Sequence, residues 1–254
     1  MTQDPLTHRL LETLEATRGR TLLAFDFDGT LVGLRANPTR VGLSPEWRGL
    51  LVKLAKRFEV AVISGRALPD LQQKMAGVPV HLAGSHGFEI VAKDGTPLSR
   101  GRAVWKRAND SWIAKLGSAI DASPGLRGCW IEDKIYSCTV HFRGVANPEE
   151  AEATLVALSK RLRPRPELVA GIFVLNLVPP IAPHKGHALR RLRRATGQKA
   201  AFFAGDDVTD ENVFVLRDRN LVTVRIGDNG RPTAAQFALP NRAALMRLLE
   251  TTLR

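Results

Sequence analysis

Three short apolar runs, each broken off by polar residues, constrain the fold of this chain more than any other feature. Residues 21–27 are rich enough in Leu and Phe to read as a buried strand, and they stop at Asp28-Gly29. A second run, 59–63, stops at Ser64-Gly65-Arg66, and a third, 80–83, at Gly84-Ser85-His86-Gly87. Helical patterns lie between them. Leucines at 6, 10, 11 and 14 predict a helix over 6–17. Ser44-Pro45-Glu46-Trp47 predicts a helix start, with Ser44 as cap, Pro45 at the first position, and Trp47, Leu50, Leu51 and Leu54 along one face. A further helical stretch runs to about Met75. Strand, helix, strand order implies a parallel sheet with helices on its faces. Ligands of such sheets bind beyond the carboxyl ends of the strands, where these polar residues fall.

The pattern resumes late in the chain, with a helix after Pro183-His184-Lys185-Gly186, a strand over 201–205 running into Asp206-Asp207, and another over 221–226. In between, the texture changes. Helical runs at about 105–120 and 149–162 accompany strand-like runs at 137–142 and 172–177, which predicts a small α/β unit over 97–181 inserted into a larger domain formed by 1–96 and 182–254. Gly95, Pro97 and Gly101 punctuate one junction, and Pro179, Pro180 and Pro183 the other.

Composition narrows the classes. With 254 residues, 44% hydrophobic and 24% charged, the chain has ordinary globular usage. No run approaches the roughly 18 apolar residues of a membrane span. The first residues, with Asp4, His8, Arg9 and Glu12, lack the apolar stretch of a signal peptide, so a cytoplasmic monomer without membrane partners is expected. Cys129 and Cys138 match no zinc spacing and read as packing residues. The net charge of +12 draws anions, and much of it falls on solvated stretches such as Arg190, Arg191, Arg193 and Arg194. A nucleic-acid partner is not expected: aromatic residues are only 6% and do not alternate with basic ones to make a base-stacking platform.

The chemistry sits at the strand ends. Asp26 and Asp28, two carboxylates at i and i+2 after a buried strand, are costly unless a cation offsets them. Asp26 could attack phosphorus while lending an oxygen to a metal, and Asp28 could protonate the leaving oxygen and later deprotonate water. Thr30 and nearby amides could hold phosphate oxygens. A second cluster, Asp206-Asp207-Val208-Thr209-Asp210, also follows a strand. Its hard oxygens suit Mg²⁺, giving Asp26, Asp28 and Asp206 as ligands, with Asp207 and Asp210 as supporting acids or helix caps. Ser64 with Gly65, and Lys185 before a helix, complete a phosphate cradle of hydroxyl and fixed cation.

Phe25-Asp26-Phe27-Asp28-Gly29-Thr30-Leu31, Ser64-Gly65-Arg66, Lys185-Gly186 and Gly205-Asp206-Asp207 resemble, in order, the four motifs of the haloacid dehalogenase superfamily. The longer strings Ala83-Gly84-Ser85-His86-Gly87-Phe88-Glu89, Glu132-Asp133-Lys134 with His141-Phe142-Arg143, and Gly205 through Glu211 resemble the trehalose-6-phosphate phosphatases, over nearly the whole chain. That resemblance implies a Rossmann-like core with an α/β cap that closes over the substrate. It also implies an aspartyl-phosphate on Asp26, Mg²⁺ as cofactor and a small phosphorylated sugar as substrate, held by Arg66, His86, Gly87 and Glu89 from the core and by Glu132 and Lys134 from the cap. If 132–142 is extended, Glu132 and Lys134 share one face. The chain departs from the family where Gly33 replaces a common proline. It departs again at Asn176 and Val178, where a glutamate and a basic residue are usual. Asn176 could still bond sugar hydroxyls, but uncharged, so another sugar phosphate, such as a glucosylglycerate or sucrose phosphate, is the alternative substrate.

Overall fold

The computed structural model describes residues 5–17, 20–33, 41–99, 102–180, 183–227 and 230–253. Asp4, the loop 34–38 and the junction residue Gly101 lie outside them. The chain divides into two units, Met1–Ser99 with Pro183–Arg254, and Arg100–Ala182. In chain order the first unit begins with α1 Pro5–Ala16, β1 Thr21–Phe25, α2 Pro45–Ala55, β2 Glu59–Ile63, α3 Leu68–Lys74, β3 His81–Gly84 and β4 Glu89–Val91. The inserted unit holds α4 Arg102–Ala122, β5 Trp130–Asp133, β6 Cys138–His141, α5 Pro148–Lys160, β7 Glu167–Gly171 and β8 Val174–Val178. The first unit then resumes with α6 Lys185–Ala195, β9 Ala200–Gly205, α7 Glu211–Phe214, β10 Leu221–Ile226, β11 Phe237–Leu239 and α8 Arg242–Thr251.

The larger unit is built on a sheet of order β11-β10-β9-β1-β2-β3-β4, parallel except for β4 against β3. Alternation of side chains along each strand divides its core into two layers. Leu23, Phe25, Val60, Val62, Phe202 and Ala204 face one way, packing with leucines of α1, α2 and α8. Leu22, Ala24, Ala61, Ile63, Ala201 and Phe203 face the other way, against Ala188, Leu189 and Leu192 of α6 and Phe214 of α7. Each fully buried Leu or Phe contributes about 1.5–3 kcal/mol. Burial on both faces is why these strands read as continuous apolar runs. The helix start at Ser44 forms as expected: its side chain accepts from the Trp47 amide, Pro45 opens α2, and Trp47, Leu50, Leu51 and Leu54 are buried.

At the amino end of β2, Glu59 accepts from His81 at 2.7 Å and from Lys93 at 2.8 Å. Burial works to raise its pKa, but the hydrogen bonds from Lys93 and His81 bring it below its ordinary 4.5. A carboxylate lowered in this way stabilises the fold above that ordinary value, and the gain is lost as pH falls through the folded one. Glu59→Gln is therefore expected to cost about 0.5–1 kcal/mol at neutral pH. Urea unfolding across pH checks this, with the deficit closing as the pH drops below 4.5.

The inserted unit corrects the sequence reading in one respect. Where two strands are expected, it has four, in the antiparallel order β5-β6-β8-β7. The two missed strands are its edges, whose half-exposed Trp-Ile-Glu-Asp and Glu-Leu-Val-Ala-Gly carry too little alternation to stand out. Ile172, expected within a strand, sits in the tight connection between β7 and β8 and is 81% exposed. One face of this sheet packs Cys138, Val140, Leu175 and Leu177 onto Trp112 and Leu116 of α4 and Leu155 of α5. Both cysteines are free thiols, Cys138 fully buried. Among the described residues no helix is long and apolar enough to cross a membrane.

Candidate active site

The two acidic clusters follow β1 and β9, which lie side by side at the middle of the parallel sheet. Asp26, only 3% exposed, continues the β1 ladder through its amide to the Ala204 carbonyl at 2.9 Å. Its Oδ1 accepts from the Lys185 ammonium at 2.7 Å, and the same ammonium reaches Asp210 Oδ1 at 2.7 Å. Lys185 stands at the first position of α6, capped by the His184 ring, and is 2% exposed. Burial alone would lower its pKa, but the charges of Asp26 and Asp210 hold it well above the ordinary lysine range.

One ammonium faces three carboxylates. Asp26, Asp206 and Asp210 each offer an oxygen within 4.8 Å of the others. Burial pushes Asp26 well above the usual carboxylate range despite Lys185, with Asp210 and Asp206 adding repulsion. Asp206 is lifted to about 6, again by burial first, against the hydrogen bond from Thr30 and with further repulsion from Asp210. Asp210 is raised by burial too, opposed mainly by Lys185. Carboxylates crowded in this way and short of positive charge are a donor set that suits a hard divalent cation. Asp210 has both oxygens engaged, Oδ1 by Lys185 and Oδ2 by the amides of Asp206 and Asp207 at 2.9 Å each, so it orders the loop. Asp26 and Asp206 are the pair left to hold an ion.

Asp28 lines the same cleft but has a different partner. Its two oxygens accept from Arg66 Nε at 2.6 Å and Nη2 at 2.7 Å, while Arg66 Nη1 reaches Asp70 at 2.8 Å. Arg66, expected to meet the substrate, lines the cleft and also grips both oxygens of Asp28 with one edge of its guanidinium, while Asp70, one turn further on, braces it. Thr30 is fully buried and donates to Asp206 Oδ1 at 3.0 Å, so its hydroxyl orients the second carboxylate. Gly29 is required between them: its φ is +85°, and a Cβ there would fall 1.9 Å from Asp206 Oδ2.

A cleft of about 540 Å³ opens onto Asp26, Asp28, Ser64, Gly65, Arg66, His86, Lys185, Asp206, Asp207 and Thr209. Ser64 is nearly buried, and its Oγ accepts from the Arg66 amide at 3.2 Å. Ser85, His86 and Gly87 carry positive φ of 48°, 56° and 107° in succession. This turn lays the imidazole so close to Gly65 that a Cβ there would meet His86 Cε1 at 2.7 Å. Glu89 begins β4, opposite Gly84. Thr209 and the bracing Asp70 were missed by sequence reasoning; the i, i+4 spacing of Asp70 from Arg66 was the available signal.

The remaining expected residues lie in the inserted unit. Glu132, on β5, is 3.6 Å from the Lys134 ammonium and 3.1 Å from His141 Nε2. Lys134 sits in the turn between β5 and β6, its amide bonded to the Ser137 carbonyl, so the run is not extended throughout. Asn176, on β8, accepts from Thr139 Oγ1 at 2.7 Å and donates to the Val169 carbonyl at 3.0 Å, which ties three strands together.

An open sheet, parallel but for one edge strand and covered by helices, with acids at the carboxyl ends of two central strands and a buried lysine between them, has the haloacid-dehalogenase-type fold. A haloacid dehalogenase-like hydrolase from B. subtilis superposes with TM-score 0.59 at 17% identity, covering 91% of this chain and 99% of that one. A trehalose-6-phosphate phosphatase of Aspergillus fumigatus superposes with TM-score 0.72 at 24% identity, covering 100% of this chain and 99% of that one. The chain belongs to the trehalose-phosphatase family, whose profile matches residues 24–241. It is 32% identical to the trehalose-phosphate phosphatase of Mycobacterium tuberculosis, over 91% of its own length and 60% of that protein's. The chain thus spans about 60% of the length of the curated relatives it matches.

Proposed function

We propose that the chain is a magnesium-dependent phosphatase that hydrolyses trehalose 6-phosphate through an aspartyl-phosphate on Asp26. The observation that carries this reading is the buried Asp26, its Oδ1 fixed by Lys185 at 2.7 Å and a second carboxylate, Asp206, close by. The Asp26 oxygen not held by Lys185 attacks phosphorus, and the bond from phosphorus to the sugar oxygen breaks. Asp28 gives that oxygen its proton. Because Arg66 engages both oxygens of Asp28, proton delivery requires at least one of those bonds to open. Water then attacks the aspartyl-phosphate, Asp28 takes its proton, and phosphate leaves with Asp26 restored. Ser64, Gly65 and Lys185 steady the phosphoryl oxygens, and Thr30 keeps Asp206 in place. Asp26 and Asp206 would hold Mg²⁺, which when bound supplies positive charge to the transferred group. Arg66, His86, Gly87 and Glu89 in the core and Glu132, Lys134 and Asn176 in the inserted unit are assigned to the sugar or to the residues that hold it.

Phosphate release from trehalose 6-phosphate, sucrose phosphate, a glucosylglycerate phosphate and glucose 6-phosphate tests the reading. Trehalose 6-phosphate is expected to show the highest kcat/KM, with activity lost to a chelator and restored by magnesium. A higher value for another sugar would transfer the assignment to it, and full activity in chelator would remove the metal. We also read the protein as a cytoplasmic monomer, which gel filtration checks for the oligomeric state.

A further inference from the structure

Trp130 stands on the face of the inserted unit's sheet opposite its core and is 55% exposed. It lies on the edge strand β5, directly across from His141 on β6. Their rings stack, with centroids 3.8 Å apart and planes 1° from parallel. Glu132 holds the imidazole at 3.1 Å, so a carboxylate fixes the histidine and the histidine backs one face of the indole. The ring is therefore set in orientation while much of its surface meets solvent.

Its neighbours decide what would cover it. Two residues along β5 is the Glu132 carboxylate, with the Lys134 ammonium 3.6 Å from it, and charged groups of this kind are depleted at the centres of protein–protein interfaces. An aromatic plate rimmed by a carboxylate, an ammonium and an imidazole instead matches a pyranose ring, whose axial C–H bonds make an apolar face and whose hydroxyls lie around the edge. Asn176, in the next row of the same face, accepts from Thr139 and donates to Val169, so the sheet fixes its amide. Trp130 leaves far more of its surface open to a sugar than Asn176 does.

We propose that Trp130 is a specificity-determining residue whose indole stacks on the apolar face of a pyranose ring of the phosphorylated disaccharide, a reading that rests on the proposed function. Trp130→Ala in the full chain should raise KM for trehalose 6-phosphate about 5- to 10-fold with kcat nearly unchanged. Trp130→Phe should restore most of the loss, and kcat/KM for glycerol 2-phosphate, which carries no pyranose, should stay at the wild-type value. Free trehalose should shift wild-type tryptophan emission and leave that of Trp130→Ala unshifted, since Trp47 and Trp112 are buried and Trp105 is packed against the core of the inserted unit. An unchanged KM for trehalose 6-phosphate in the alanine variant overturns the proposal. So does sedimentation showing that Trp130 holds two copies of the chain together. If the wild type cleaves glycerol 2-phosphate but no phosphorylated disaccharide, the proposed function fails, and the emission experiment alone then decides whether Trp130 binds a sugar.

Discussion

Asp26→Asn is expected to reduce phosphate release by about 10⁴-fold or more while leaving the fold intact, because the amide cannot attack phosphorus and no neighbour replaces it. Asp206 is held by Thr30 and Asp210 by Lys185 and two backbone amides, so neither is free to take over. The substitution keeps the shape of the side chain and removes one of three crowded carboxylates. Stability measured by urea unfolding should therefore stay level or rise in the absence of metal, which separates loss of chemistry from loss of structure. Appreciable turnover by this variant would sink the aspartyl-phosphate mechanism.

Lys185→Met should have the largest effect on stability, about 3–5 kcal/mol, because it leaves the buried Asp26 and Asp210 without their shared cation. Methionine fills nearly the same space, so the loss is electrostatic and not a cavity. The sign with pH follows from the raised carboxylates: a group with a raised folded pKa binds its proton more tightly in the native state, so stability recovers as pH falls and those groups neutralise. Urea midpoints of variant and wild type at several pH values measure this. A constant difference across pH would mean that charge is not the cause.

The core was legible in the sequence because its central strands are buried on both faces and end where the chemistry begins. Asp26, Ser64 and Asp206 could be placed from those endings and Lys185 from the helix start it stands at, and the structure gathers them around one cleft. What stayed hidden depends on side-chain direction. Nothing in Ser64-Gly65-Arg66 indicates that the guanidinium turns back onto Asp28, 38 residues earlier. Asn176 reads as a free sugar-binding amide until the register of β6, β8 and β7 places Thr139 and the Val169 carbonyl beside it. Strands β4 and β11, three residues each, are too short to show any period. Trp130 went unremarked because one aromatic on an edge strand has no pattern to belong to.

The two hydrogen bonds of Lys185, one to Asp26 and one to Asp210, also bear on biosynthesis. Asp26 emerges from the ribosome 159 residues ahead of that lysine, and Asp210 follows 25 residues behind it. A nascent chain that has made the first strands still lacks the counter-charge for Asp26, and contacts so distant in sequence are among the slow ones to form. The ion-paired centre thus forms only with completion of the second half of the core: a chain stalled or cut before residue 185 carries Asp26 without the cation that holds it.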